Sequence, residues 1–242
     1  MSEILAIIPA RGGSKGLPDK NILPLLNHPL ITYSIKAALD AKKITRVIVS
    51  TDSEKIADIS LKYGAEVPFV RPAEFAQDWS TDLEVFKHSL TWLKQYENYV
   101  PDLVVQLRPT SPFRKIELID ECIDRLIMSD ADSLRIITQA PISPYKMWTL
   151  SEENPYMKPL LTVEGLKEAY NEPRQRLPKV YWQIGTLDVI RTCIITENNS
   201  MSGNKILPYL VEPVFAVDID DLQSFKKAEE VILNNNCVKF DQ

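Results

Sequence analysis

Three short runs, Ile4-Leu5-Ala6-Ile7-Ile8, Val47-Ile48-Val49 and Leu103-Val104-Val105, are apolar at every position and mostly β-branched. A strand with one wet face alternates apolar and polar side chains; a strand without alternation needs cover on both faces. Amphipathic stretches of helical length separate these runs. The pattern predicts βαβ units stacked as a three-layer α/β/α sandwich on a mostly parallel sheet. Strands are expected near 4–9, 46–50, 66–70, 102–107 and 132–138, and helices near 29–42, 53–63, 82–97 and 115–129. In the second helix Ile56, Ile59 and Leu61 sit near helical spacing, Asp52 or Ser53 can cap the start, and Gly64 can end it. The 242 residues suit one large domain, 1–242.

Residues 139–181 break this rhythm. Pro141, Pro144, Pro155, Pro159, Pro173 and Pro178 crowd the segment, and its periodicity is poor. So long an irregular stretch is functional or engaged with a partner. It is expected to be an extended arm over the active site or against a second subunit, with a plain surface excursion as the alternative. Regular structure is expected to resume with Ile184–Arg191, a strand near 205–211, the short strand Phe215-Ala216-Val217 and a closing helix about 221–235.

The formal net charge of -5 argues against a general nucleic-acid-binding role. No apolar stretch approaches the roughly 20 residues of a membrane span, and Met1-Ser2-Glu3 lacks the positive start of a signal peptide. Cys122, Cys193 and Cys237 are too scattered for a disulfide framework or a zinc site, so a reduced cytoplasm is the expected compartment. With His28 and His88 the only histidines, a catalytic triad or a His-rich metal site is disfavoured.

Four groups should meet at the carboxyl edge of the sheet, where parallel α/β folds bind ligands. The first is the loop Pro9-Ala10-Arg11-Gly12-Gly13-Ser14-Lys15-Gly16-Leu17-Pro18-Asp19-Lys20-Asn21. Glycines bring backbone N–H groups against anionic oxygens while Arg and Lys add charge, which suits a polyphosphate. It matches neither the Walker loop nor the dinucleotide fingerprint, which disfavours hydride transfer. A basic surface turn is the alternative. The second group is Arg108-Pro109-Thr110-Ser111-Pro112-Phe113-Arg114, in which Arg108 can meet the ligand while Ser111 and Pro112 start the next helix. The third is Asp218-Ile219-Asp220, whose carboxylates point the same way on an extended segment and suit Mg2+, although Asp220-Asp221 can equally cap the last helix. The fourth is Pro173-Arg174-Gln175-Arg176-Leu177-Pro178 with Lys146, either a clamp for an anionic substrate or a solvated basic turn.

The run Arg11 to Asn21 resembles the signature of the acylneuraminate cytidylyltransferases. The likeness continues in order through Val49-Ser50-Thr51-Asp52, Arg71-Pro72-Ala73-Glu74, Pro109-Thr110-Ser111-Pro112, Pro173-Arg174-Gln175 and Val217-Asp218-Ile219-Asp220. This resemblance implies a Rossmann-like nucleotidyltransferase fold that activates an α-keto acid sugar, a sialic acid or related nonulosonic acid, with CTP for cell-surface polysaccharide synthesis. It implies Arg11, Gly13, Ser14, Lys15, Lys20 and Asn21 on the CTP phosphates, Arg71, Ser80 and Arg108 on the nucleotide, and Mg2+ on Asp218 and Asp220. Arg108, Lys146, Arg174 and Asp188 are implied at the sugar acid, with Arg11, Lys20 and Arg174 catalytic and the arm in a homodimer interface. Two positions depart from the family pattern: Arg108 stands where Gln is common, and Asp188 where a Tyr is expected. The competing readings are a cytidylyltransferase for an eight-carbon ulosonic acid or other acidic acceptor, and a nucleotide-binding protein without catalysis.

Overall fold

Leu5 and Ile7 pack into one buried cluster and Ile4, Ala6 and Ile8 into another, on the opposite side of the sheet. The first apolar run is therefore covered on both faces, as its lack of alternation requires. The computed structural model describes residues 2–13, 16–115 and 117–240. Its strands are β1 (Ile4–Pro9), β2 (Pro24–Leu25), β3 (His28–Pro29), β4 (Arg46–Ser50), β5 (Leu103–Gln106), β6 (Ser133–Gln139), β7 (Trp148–Ser151), β8 (Asn154–Pro159), β9 (Tyr181–Arg191) and β10 (Ile206–Leu210). Its helices are α1 (Leu30–Asp40), α2 (Glu54–Lys62), α3 (Asp82–Glu97), α4 (Leu118–Ile127), α5 (Thr192–Thr196) and α6 (Leu222–Asn234). The main sheet runs β10-β6-β9-β5-β1-β4, with β9 antiparallel to both neighbours and the other pairings parallel.

Helices α1, α2 and α4 cover one face through Ile31, Ile35, Ile56, Ile119, Ile123 and Leu126. Helices α3 and α5 cover the other through Phe86, Leu90, Leu93, Ile194 and Ile195. That makes the expected three-layer sandwich. A third cluster joins Ala228, Val231 and Ile232 of α6 to Phe215, Val217 and Ile219, which pins the segment before α6 against the body. None of the helices among the described residues is long and apolar enough to cross a membrane.

The structure departs from the sequence reading at four places. Residues 66–70 form no full strand, only the parallel bridges Ile48↔Glu66 and Thr51↔Val70 at the β4 edge, because Pro68 lacks the N–H that a ladder needs. Residues 213–215 form a 3-10 turn (Pro213–Phe215) instead of starting a strand at Phe215. Beyond this turn the chain is extended, and Ile219 N donates to Thr110 O at 2.8 Å. Helix α4 begins at Leu118 behind Glu117, so Ser111 does not cap it. Its hydroxyl instead lies 3.4 Å from Asp218 Oδ1. Finally, β9 begins at Tyr181, ahead of the expected Ile184.

The arm holds more order than its prolines suggest. Strands β7 and β8 form an antiparallel hairpin, the Trp148 and Tyr170 rings meet at a tilt with centroids 4.5 Å apart, and Ala169 and Leu177 are buried. Leu150, Tyr156 and Met157 on that hairpin face solvent.

Candidate active site

Strands β1, β4 and β5 end side by side, and the loops leaving them shape one cleft of about 470 Å3. Arg11, Gly16, Lys20, Asn21, Arg71, Ser80, Arg108 and Asp220 line it. Side chains far apart in sequence thus converge because parallel strands deliver their loops to the same edge.

The opening loop is fastened at both ends. Gly12 N donates to Asp52 Oδ1 at 2.9 Å, and the buried Asn21 donates through Nδ2 to Arg11 O at 3.1 Å. Gly16 sits so close to the acidic segment that a Cβ there would stand 2.8 Å from Asp220 O. Only glycine permits that approach. Lys20 Nζ completes the join, donating to Ile219 O at 2.6 Å and Asp220 Oδ1 at 2.9 Å. Ser14 and Lys15 lie outside the described residues, and Gly13 is described but is not among the residues lining the cleft.

Each of three cleft cations is matched to a carboxylate. Arg11 Nη1 is 2.8 Å from Asp78 Oδ1, Lys20 pairs with Asp220, and Arg108 Nη2 donates to Asp82 Oδ2. Arg71 differs. It is 5% exposed and donates to Ser50 Oγ and Ser50 O. Burial, with Arg11 adding to it, pushes its pKa down to about 10. Ser80 Oγ donates to Glu74 O and accepts from Gln77 N, both at 3.0 Å.

Along residues 217–220 burial alternates: Val217 and Ile219 point inward while Asp218 and Asp220 are exposed. Both carboxylates therefore leave the same side of an extended backbone. Among the described residues no three His, Cys, Asp or Glu side chains gather to hold a metal unaided. Two carboxylates on an open segment suit Mg2+, which takes one or two protein carboxylates and fills the rest of its shell with water and phosphate oxygens. Asp221 does the capping, accepting from Ser224 N at 2.7 Å at the start of α6. The neighbouring carboxylates are thereby left to other partners.

Three residues expected at the sugar acid do not line this cleft. Asp188, in β9, is 3% exposed, with Oδ1 3.8 Å from Arg135 Nε. Burial raises its pKa to about 6 against the pull of Arg135 and Arg108. Arg174 Nη2 donates to Ala140 O at 2.7 Å beside a separate hollow at the base of the arm. Lys146 ends a 3-10 turn in the same arm. Neither lines the main cleft.

The pH dependence of stability follows from Asp188. Its folded carboxyl takes a proton at higher pH than its unfolded one, so the associated stability is full below about pH 4 and is lost as pH rises through about 6. Between pH 4 and pH 7.5 the wild type should lose on the order of 3 kcal/mol relative to Asp188→Asn. Urea unfolding at both pH values measures this; parallel profiles for the two proteins would refute it.

Sequence reading missed Asp78, Asp82, Gln106 and the buried role of Arg114. Asp82 falls at the start of the helix expected near 82–97, and Gln106 within the strand expected near 102–107, with nothing to single out either. Arg114 read as one more cation in a turn, yet it is fully buried and donates to Thr186 O, Ser34 Oγ and Arg108 O. Nothing local in the sequence marks that burial.

A mostly parallel α/β sandwich with a cationic loop after its first strand, facing carboxylates at the sheet's carboxyl edge, defines a protein of the nucleotidyltransferase class. The chain belongs to the cytidylyltransferase family: residues 5–175 match that family's model, described as "Cytidylyltransferase". Over 240 residues it is 31% identical to the post-translational flagellin modification protein B of Campylobacter coli, covering 98% of this chain and 97% of that protein. It is 34% identical over 220 residues to the CMP-N,N'-diacetyllegionaminic acid synthase of Legionella pneumophila, covering 90% of each. Its fold matches a solved CMP:2-keto-3-deoxy-manno-octonic acid synthetase complexed with CTP, with TM-score 0.68 and 13% identity over 96% of this chain and 99% of that one.

Proposed function

We propose that this cleft joins the cytidylyl group of CTP to the anomeric hydroxyl of an acidic nonulosonic sugar, releasing pyrophosphate. The observation that carries the reading is the meeting of Arg11 and Lys20 with Asp220 in one cleft of a cytidylyltransferase-family chain. A relative that makes a CMP-activated nonulosonic acid supports the acceptor class.

The anomeric oxygen attacks the α-phosphorus in line, forming an O–P bond. The bond to the β-phosphate oxygen breaks, pyrophosphate leaves, and the hydroxyl proton passes to solvent. Such transfer depends on positioning and charge stabilisation. Arg11, Lys20 and Asn21, with Gly13, Ser14 and Lys15, hold the triphosphate; Arg71 and Ser80 hold the rest of the nucleotide. Asp218 and Asp220 would hold Mg2+, which supplies charge neutralisation at phosphate oxygens when bound. Lys20 and Arg11 orient the α-phosphate and take up charge as the leaving group departs. Arg108 meets the sugar acid.

Lys146 and Arg174 join the acceptor through dimerisation. The support is the arm, which leaves Leu150, Tyr156 and Met157 in solvent, an apolar surface of the kind that marks an interface. Leu150→Asp with Tyr156→Asp should turn a dimer into a monomer in analytical ultracentrifugation and lower turnover at least tenfold. An unchanged sedimentation coefficient would remove the arm from the interface.

Pyrophosphate release with CTP, Mg2+ and a panel of sialic, legionaminic, pseudaminic and eight-carbon ulosonic acids tests the function. Turnover with a nine-carbon member is expected. Turnover with the eight-carbon acid alone, or tight CTP binding without turnover, would replace this reading by one of its two competitors.

A further inference from the structure

Arg108 is gripped from several directions. Asp82 Oδ2 accepts both from Arg108 Nη2 and, at 2.9 Å, from Nε2 of the buried Gln106 two residues earlier. Asp82 is itself the first residue of α3, set by the capping box between Thr81 and Glu84. On the other side a Cβ at Gly185 would stand 3.1 Å from both Cδ and Nη1 of Arg108, so the side chain lies against bare β9 backbone. The pairing of β9 with β6 shifts register between Arg135 and Ile137, beside that contact. Behind the side chain, Arg108 O accepts from Arg114 Nη2 at 2.9 Å and from Ser34 Oγ at 3.3 Å.

We propose that Asp82 and Gly185 are positioning residues that lock the Arg108 guanidinium in one orientation, so that its remaining N–H groups read a hydrogen-bond acceptor on the sugar acid. The charge balance favours the sugar over the triphosphate. Burial opposes the positive charge of Arg108, but Asp82, Asp188 and Asp218 together outweigh burial and hold the guanidinium charged. Three carboxylates around one cation leave little net attraction for a polyphosphate, whereas a neutral acyl or hydroxyl oxygen needs only a fixed donor. A Cβ at 185 would press on the Arg108 side chain at 3.1 Å, so the guanidinium would have to give by a few tenths of an ångström against its carboxylate. The proposal rests on the cytidylyltransferase reading of the cleft.

Steady-state kinetics of Asp82→Ala, Asp82→Asn and Gly185→Ala, with calorimetric CTP binding, separate the possibilities. Asp82→Ala and Gly185→Ala should each raise the KM for the sugar acid at least tenfold and leave the CTP Kd within twofold. Asp82→Asn, which keeps an oxygen for Arg108, should fall between. Because Asp82 acts through Arg108, the pair Asp82→Ala with Arg108→Ala should be no worse than Arg108→Ala alone. Additive losses, or CTP affinity falling in step with acceptor affinity, would overturn the proposal. Guanidinium rotation at Arg108, read by nitrogen-15 NMR, tests the lock without turnover: slow in the wild type and fast in Asp82→Ala is expected, and fast rotation in both refutes it. A wild type that turns over no acceptor on the panel overturns the functional reading and the sugar contact with it, while the NMR signature still decides the lock.

Discussion

Replacing Lys20 with alanine lowers kcat/KM for CTP by about a thousandfold and leaves the fold intact. Removing one preorganised donor from a site of developing charge typically costs ~100- to 1,000-fold in rate, and Lys20 carries a full charge on a fixed mount. Its side chain is 12% exposed, tied to Ile219 O and Asp220 Oδ1 of the acidic segment that packs against the loop carrying it. A phosphate arriving there meets an ammonium already in place, with little rotamer entropy left to lose. Stability should change little, because the Asp220 carboxylate left behind is exposed and can hydrate. Pyrophosphate-release kinetics beside a thermal melt separate these effects. A variant turning over within threefold of wild type would take Lys20 out of the transition state.

Replacing Arg114 with methionine should act first on stability, at ~3 kcal/mol. The guanidinium has no exposed surface and no carboxylate partner among the described residues, and burial pushes its pKa down to about 9. Its three hydrogen bonds tie β9 through Thr186 O, α1 through Ser34 Oγ, and the turn after β5 through Arg108 O. Leaving such partners unsatisfied costs roughly 1–3 kcal/mol apiece. Part of that is offset because an unpaired buried charge is itself costly, and methionine fills much of the same volume. Catalysis should suffer next, since the Arg108 turn loses an anchor: the acceptor KM rises while the CTP Kd holds. Denaturant unfolding gives the first quantity, and the same kinetics give the second. A loss below about 0.5 kcal/mol would mean the turn keeps its shape without Arg114.

The fold was legible because it is written in periodicity. Continuous apolar runs announced β1, β4 and β5, and helical spacing announced the helices between them. The misreadings share a cause: short extended segments are decided by partners, and residues 66–70 and 215–217 looked like strands until Pro68 and the 3-10 turn at Pro213 denied them a ladder. The cleft was legible as far as residue type and strand end allow. Arg11, Lys20, Asn21, Arg71, Ser80, Arg108 and Asp220 meet because loops after parallel strands meet. Asp188 is implied at the sugar acid by the family resemblance alone, and its burial beside Arg135 is set by strand pairing that no local pattern shows. Asp82 went unnoticed because its partners, Gln106 and Arg108, are 24 and 26 residues away. Such pairings belong to the tertiary fold, and no local pattern encodes them.

In the proposed reaction CMP passes directly from CTP to the anomeric oxygen of an acidic sugar. Phosphorus NMR of a reaction containing CTP, Mg2+ and a nonulosonic acid carrying oxygen-18 at its anomeric hydroxyl tests it most directly. CMP-sugar and pyrophosphate are expected in equal amounts, with the label bridging carbon and phosphorus in the CMP-sugar. Label found in pyrophosphate or lost to water, or CTP left unconsumed, would contradict it.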